Sequence, residues 1–221
     1  MKIKIGNVEK ELELMNNLFI TKSYSELVIR GQILIKTFPK IMPFYNFLGL
    51  SYKAVGKGRV AAKVFEAAIF QNSNEISVLT NLADVYLELN KLKESEKLFN
   101  KAFKIDEKNL YALNGYAKLK RAQGKMKEAI KYFKLVYEID HTFDDVLLRI
   151  ANAYLSINDF EEAKKYFEIA VYKTPLKIGA DYSYSQMIDY SKNKKHQEHM
   201  LRKIKEKNLD TEIKGPLYFA I

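Results

Sequence analysis

The stretch "NFLGLSYKAVGKGRVAAKVFEAAI", Asn46 to Ile69, admits two interpretations with different consequences for function. Its centre, Gly56 to Ala61, has the form G-x-G-x-x-A, a variant of the glycine-rich turn that binds dinucleotides between a strand and a helix. The same residues also suit two helices joined at a glycine. The first interpretation predicts a cofactor enzyme, and the second predicts one unit of a repeat protein.

A period of 34 residues runs through the chain and favours the second interpretation. Like residues recur in one register on both sides of Gly56, as bulky aromatic residues and as small residues. The clearest series are Phe65, Phe99, Phe133 and Phe167; Ala61, Ser95, Ala129 and Ala163; and Gly49, Ala83, Ala117 and Ala151. Repetition on this scale is typical of proteins built by stacking one small unit many times.

The glycine at the centre of the stretch belongs to the same register. Its series is Gly56, Asn90, Gly124 and Asn158. Glycine and asparagine enter the left-handed backbone conformation at low cost and commonly end helices there. A phosphate-binding loop would also need a strand before it, whereas Leu48 and Tyr52 have helical spacing. Gly56 is therefore predicted to be a helix stop, and the dinucleotide interpretation is set aside.

Each repeat is predicted to be a pair of antiparallel helices. In the third full unit the first helix covers about 110–123, Gly124 makes the turn, and the second helix covers about 126–138. Gly49 and Ala61 are expected where the two helices cross, with Phe65 and Tyr52 beside the crossing. One pair cannot bury its apolar face alone, so neighbouring units must complete the core.

These residues resemble the tetratricopeptide repeat (TPR). The clearest match is "LLRIANAYLSINDFEEAKKYFEIAVYKTP", Leu147 to Pro175. The resemblance implies an all-α fold, a right-handed α-solenoid of antiparallel helix pairs, over residues 1–177. Full units are expected at 42–75, 76–109, 110–143 and 144–177, with a degenerate unit at 8–41, where Gly31 replaces the aromatic residue. Residues 178–208 are expected to form a degenerate repeat or basic capping helix pair.

Composition narrows the class of protein further. The 221 residues are 48% hydrophobic and 29% charged, which is ordinary for a folded protein, and there is no cysteine. Neither a signal peptide nor a membrane span is predicted, so we expect a cytoplasmic protein with no membrane partner.

The net charge is +10, but only five of the 37 basic residues are arginine. We expect no specific nucleic-acid partner, although the basic stretch 192–207 is open to interpretation as a solvated helix or a binding patch.

The face of each first helix that does not enter the core is polar, and it is the predicted binding groove. In TPR arrays this face lines the concave side and holds peptide segments. The predicted partner-binding residues are Asn46, Lys53, Thr80, Asp84, Asn114, Lys118, Arg121, Arg149 and Asn152, with Glu88 in the same stripe. A solvated face without a ligand is the alternative. The two-carboxylate clamp of chaperone-binding TPR domains is not reproduced, because Leu50 occupies the place of its first Asn.

No pattern predicts catalysis, a metal or a cofactor. His196 and His199 share one helix face, but neighbouring Lys194, Lys195 and Arg202 disfavour a cation there. The leading hypothesis is therefore a non-catalytic scaffold for protein–protein binding, in which no residue is catalytic, no metal is bound and no cofactor is required.

The C-terminal sequence raises an alternative. Residues 209–221 end in the apolar run Leu217 to Ile221, which is predicted to pack back on the array, to self-associate, or to begin a truncated helix. The order of "NKKHQEHM" and "LYFAI" resembles the junction between a TPR array and the transferase domain in bacterial TPR-containing sulfotransferases. That resemblance implies an N-terminal region of a sulfotransferase-like enzyme whose catalytic domain lies outside these residues.

Overall fold

The computed structural model describes residues 6–143, 145–173, 178–191 and 194–205, and these residues form helices and turns without a strand among them. The chain divides into two compact units, Met1–Lys125 and Met126–Ile221. In the first unit the helices are α1 (Val8–Ile20), α2 (Tyr24–Thr37), α3 (Met42–Ala54), α4 (Gly58–Gln71), α5 (Ile76–Glu88), α6 (Leu92–Ile105) and α7 (Leu110–Ala122). In the second they are α8 (Met126–Ile139), α9 (Val146–Leu155), α10 (Phe160–Lys173), α11 (Ile178–Ser185) and α12 (Lys194–Lys205).

In the first unit each helix packs on the next, and α1, α3, α5 and α7 also form a row in which each contacts its neighbour. In the second unit α8 packs on α9, α9 on α10, and α10 on α11. The all-α architecture of consecutive packed helix pairs is therefore confirmed. The stop predicted at the 34-residue series is also confirmed, because Gly56, Asn90, Gly124 and Asn158 all have positive φ.

The turn inside each pair follows one hydrogen-bond pattern. At Gly56 the backbone N–H donates to the carbonyl of Lys53, and the next N–H, of Lys57, donates to Tyr52. The same two bonds recur at Asn90, Gly124 and Asn158, and also at Lys22, which has φ 57°. These bonds satisfy carbonyls that the ending helix would otherwise leave without a partner.

The phenylalanine that recurs every 34 residues lies in the core of its helix pair. The Phe65 and Phe99 side chains are fully buried. A Cβ added at Gly49 would lie 2.4 Å from Phe65 Cζ, and one added at Gly115 would lie 2.4 Å from Phe99 Cζ. The absence of a side chain therefore brings a first-helix backbone directly against each ring, as predicted for Gly49.

Candidate functional site: the polar face of the first helices

A network of charged side chains crosses α3, α5 and α7 on the face predicted to bind a partner. Lys53 of α3 donates to the carboxylate of Asp84 on α5, and its Nζ lies 3.0 Å from Glu88 Oε1. From α7, Lys118 Nζ lies 3.3 Å from the other oxygen of Asp84. Asp84 thus joins three helices, and two lysines are balanced by two carboxylates.

The pKa shifts show that this network is electrostatically coupled. Burial alone would raise the pKa of Asp84, but Lys118 and Lys53 outweigh it and hold that pKa below its usual value. Burial likewise opposes the charge on Lys53, yet Asp84 and Glu88 raise the pKa of that lysine. Each group is therefore stabilised in its charged form by its neighbours.

Amide groups extend the same face towards the helix N-termini. Asn46 Nδ2 of α3 donates to Ser77 Oγ of α5 at 2.8 Å, and Asn81 Nδ2 donates back to Asn46 Oδ1 at 3.0 Å. Both Asn46–Ser77 and Lys53–Asp84 join residues 31 apart in sequence. We call the set Asn46, Lys53, Ser77, Asn81, Asp84, Glu88 and Lys118 the polar ladder.

Two predicted site residues lie deeper than expected. The Thr80 hydroxyl donates to backbone carbonyls of its own helix and is 6% exposed. Asn114 is 5% exposed, and its Oδ1 is buried without a hydrogen-bond partner among the described residues. The Thr80 hydroxyl therefore bonds to its own helix, α5. The Asn114 Oδ1, one helical turn before Lys118, has no hydrogen-bond partner among the described residues.

The other predicted residues differ in their surroundings. Arg121 is exposed at the end of α7 in the first unit. In the second unit Arg149 is half-buried on α9, and Asn152 is exposed and donates to the carbonyl of Leu148. The structure therefore joins Lys53, Asp84 and Lys118 in one network and places Asn46 in a separate set of hydrogen bonds between α3 and α5.

Sequence reasoning missed Ser77 and Asn81, which lie on the same helix as Thr80 and Asp84. Asn46–Ser77 and Lys53–Asp84 share a 31-residue offset, whereas Asn46–Asn81 is 35 residues apart and Asp84–Lys118 is 34 apart. No single offset therefore identified Ser77 beforehand, since the offset depends on how far one helix is displaced along its neighbour.

A second polar cluster lies in the second unit, between α11 and α12. Asp181 is fully buried and accepts from Lys203 Nζ at 2.6 Å, while its other oxygen lies 3.2 Å from His196 Nε2. The Tyr190 hydroxyl lies 2.9 Å from His196 Nδ1. Both ring nitrogens of His196 thus have partners, which gives this histidine a structural role in the helix pair.

Two further properties of the described residues concern metal ions and membranes. Among them, no group of three or more His, Asp or Glu side chains could hold a metal ion. In the same part of the chain, no helix combines the length and apolar character needed to cross a membrane.

Comparison with known proteins identifies the repeat. The family description "Tetratricopeptide repeat" matches residues 76–109 and 120–176. Among curated proteins, the uncharacterized protein ycf37 of Pyropia yezoensis is 32% identical over 84 residues, covering 34% of this chain and 47% of that protein. The matched region thus spans about half the length of this curated relative.

Solved structures show the same fold at low sequence identity. A thermophilic TPR protein of Thermus thermophilus has a TM-score of 0.71 at 14% identity, covering 81% of this chain and 97% of its own. Pseudomonas aeruginosa pilF has a TM-score of 0.71 at 11% identity, covering 88% and 89%. The chain therefore contains tetratricopeptide repeats in a TPR-solenoid fold, and the comparisons give no support to the sulfotransferase-like junction.

Proposed function

We propose that this chain is a non-catalytic TPR scaffold that binds a peptide segment of a partner protein on the polar face of α3, α5 and α7. The observation that carries the proposal is the polar ladder, which links three successive first helices through Asp84. A TPR fold is consistent with protein–protein interaction in general, and the ladder supports this particular face.

The ladder favours an extended peptide for two reasons. Its side chains are held by one another, so fewer of them must lose conformational freedom when a ligand binds. Its charges also cancel, since Lys53 and Lys118 face Asp84 and Glu88. A neutral ladder suits hydrogen bonds to a peptide backbone better than attraction to a highly charged ligand.

Asn114 and Arg121 on α7 supply the groups that a ligand would contact. The Oδ1 of Asn114 has no partner among the described residues but is buried, so a rotation of this side chain would be needed before it accepts a hydrogen bond from a peptide N–H. Arg121 is exposed and can donate to a carbonyl or carboxylate of the ligand. Arg149 and Asn152, which lie in the second unit, stay predicted partner-binding residues.

Peptide display on the immobilised full chain tests the proposal, followed by fluorescence anisotropy with each selected peptide. The variant should combine Asn114→Leu with Arg121→Glu, because Lys118→Glu would place a carboxylate beside Asp84 and disturb the ladder itself. We expect the double variant to weaken binding at least about tenfold, as for residues central to an interface.

Lys131→Glu is the matched control, since Lys131 is exposed on α8 in the other unit. It should leave affinity within about twofold, as expected for a substitution outside the interface. Circular dichroism must show that both variants keep their helices. Equal affinity of wild type and the Asn114/Arg121 variant for every selected peptide would leave this face as a solvated surface.

The remaining expectations are still predictions. The sulfotransferase-like alternative rests on a junction whose final part, 206–221, lies outside the described residues, as does the apolar run proposed to self-associate. Binding of the sulfate donor by the full-length gene product would test the first, and sedimentation at increasing concentration would test the second. Cytoplasmic location and the lack of a specific nucleic-acid partner also remain proposals.

A further inference from the structure

Basic residues recur at the start of the second helices in the first unit, away from the polar ladder. In both α4 and α6 they occupy the residue before the helix and the first and second turns. We call this set the cationic ridge: Lys57, Arg59, Lys63, Lys91, Lys93 and Lys97. All six side chains are exposed, and each α6 residue lies 34 positions after its α4 counterpart.

Among the described residues, the ridge side chains lack the ion pairs that some other lysines of this unit form. Lys53, Lys118 and Lys120 each form an ion pair with a carboxylate. Of the six ridge residues, none forms an ion pair with any described residue, and Lys91 makes only a cation–π contact, 5.1 Å from the centre of the Tyr86 ring. The ridge thus presents six exposed cations without an ion-pair partner among the described residues, and Glu94 and Glu96 lie between two of them along α6.

The local structure does not explain these residues. Lys57 and Lys91 occupy the N-cap positions of α4 and α6 and make no side-chain cap bond. N-caps favour Ser, Thr, Asp or Asn, and the positive end of the helix dipole disfavours cations. Asp159 at the corresponding position before α10 follows the usual preference, because its carboxylate accepts from the N–H of Glu162 at 3.3 Å. Lys91 gains its cation–π contact with Tyr86 at this position, whereas the Lys57 side chain has no hydrogen bond, ion pair or ring contact among the described residues. A lysine that breaks a local preference without structural gain indicates a functional surface.

Three residues of the ridge also line a cleft, which could hold a side chain of a ligand. It has a volume of about 310 Å³ and is lined by Arg59, Ala62, Lys63, Glu66, Leu89 and Lys91. Its acidic group is already engaged, since Glu66 Oε1 accepts from the Tyr86 hydroxyl at 2.7 Å. The lining thus combines three cations with an apolar floor made by Ala62 and Leu89.

We propose that the cationic ridge binds an acidic segment of a partner protein, with an apolar side chain of that segment in the cleft. Carboxylates would pair with the lysines on either side, and the apolar floor would bury the side chain between them. The observations favour a protein over nucleic acid. Five of the six cations are lysines, which lack the bidentate geometry that arginine offers to phosphate.

Fluorescence anisotropy with the full chain tests this proposal. The probes are a labelled peptide of Glu and Leu, a counterpart with Gln replacing Glu, and a mixed-sequence DNA oligonucleotide. The test variant is Arg59→Glu/Lys63→Glu. Arg59→Glu places an acidic residue in the first turn of α4, where the helix dipole favours it, and circular dichroism must show that the double variant keeps its helices. The matched control is Lys101→Glu/Lys104→Glu, with the same charge change at the opposite end of α6.

We expect the acidic peptide to bind wild type more tightly than the Gln counterpart or the oligonucleotide, and binding to weaken as salt screens the charges. The Arg59/Lys63 variant should raise the Kd at least about tenfold, and the control should change it less than about threefold, because it alters only the overall charge. The proposal is overturned by equal binding of the acidic and Gln peptides, by equal losses in both variants, or by preference for the oligonucleotide.

Discussion

At the level of single residues, Lys22 breaks the pattern that the other turns follow. The residue that ends the first helix of each pair has positive φ, and elsewhere in the described turns it is Gly or Asn. Lys22 has φ 57° and makes the same backbone hydrogen bonds. For a side chain with a Cβ this conformation costs about 1–2 kcal/mol, so Lys22 is a strained member of the series.

Lys22→Gly should therefore stabilise the protein by about 0.5–1 kcal/mol, the strain relieved less the entropy that glycine loses on folding. Urea denaturation measures the change. The reciprocal control is Gly124→Ala, which should be destabilising although nothing lies within 4 Å of the added Cβ. A lower midpoint for Lys22→Gly together with an unchanged midpoint for Gly124→Ala would contradict the backbone explanation.

Asp84 makes the stability of the first unit depend on pH. Its pKa is lowered in the folded state, because Lys118 and Lys53 outweigh the effect of burial. The stabilisation is therefore complete above the unfolded pKa, near ~4, and is lost as pH falls through the lower folded pKa.

Asp84→Asn should cost about 1–2 kcal/mol at neutral pH, because it leaves Lys53 and Lys118 close together without their shared carboxylate. The difference from wild type should begin to shrink as the pH falls below ~4 and should be lost once the pH has passed through the lower folded pKa, where the wild-type carboxylate is also protonated. Urea denaturation at neutral and acidic pH measures both values. A difference that stays constant with pH would show that the carboxylate charge is not the cause.

At the level of helices, the contact between Gly49 and Phe65 sets how closely α3 approaches α4. An added Cβ would lie 2.4 Å from the Phe65 ring, which is fully buried and has little room to move. The Phe65 ring therefore requires a residue without a side chain against it on α3. Gly115 meets Phe99 in the same way, although it occupies a different position in the repeat.

Gly49→Ala should destabilise the protein despite the better helix propensity of alanine. Overpacking costs about 1–3 kcal/mol and the propensity gain is about 1 kcal/mol, so we expect a net loss of up to ~2 kcal/mol. Gly58→Ala is the control, since its Cβ would make an ordinary 3.5 Å contact with Leu89. The assignment of the crossing fails if both variants unfold at the wild-type denaturant midpoint.

Helix ends were largely predictable, and the exception has a local cause. For the third full unit the predicted helices differ from α7 and α8 by one residue at the C-terminal ends. In contrast, α9 has 10 residues where α3, α5 and α7 have 13, and it begins after Asp145, which has φ 53°. Because Asp145 has this left-handed conformation, α9 begins only after it. The sequence has no Gly or Asn at this position that would have predicted the conformation.

At the level of the whole molecule, the cluster around Asp181 determines how the terminal helix pair α11–α12 is held. Asp181, His196 and Lys203 are all buried, so the ammonium of Lys203 depends on one carboxylate. Sequence analysis had left the basic stretch as a solvated helix or a binding patch. Lys203 fits neither interpretation, because it is 3% exposed and paired.

Asp181→Asn should destabilise the terminal pair by about 3–5 kcal/mol, since it leaves a buried ammonium without a counter-charge. In a repeat protein this loss should stay local, because each unit contacts only its neighbours. Hydrogen exchange should therefore rise in α11 and α12 and stay unchanged in α3 and α4. Adding Lys203→Met should restore much of the protection, and a uniform rise along the chain would contradict local unfolding.

The sequence by itself determined the repeat, the helix pairs and the position of most turns, because these depend on local properties. A residue that tolerates positive φ ends a helix wherever it stands, and a 34-residue period reports one unit stacked on the next. The predicted stripe also contained Lys53, Asp84 and Lys118, since helical spacing alone places residues on one face.

Only the tertiary structure decided which polar groups pair and which remain uncompensated. The ladder depends on how far α5 slides along α3, and the burial of Lys203 depends on α12 packing against Asp181. Sequence spacing contains no information on either quantity. The lysines of the ladder, the terminal pair and the cationic ridge look alike in the sequence, and they differ because charges interact over a few ångströms in space.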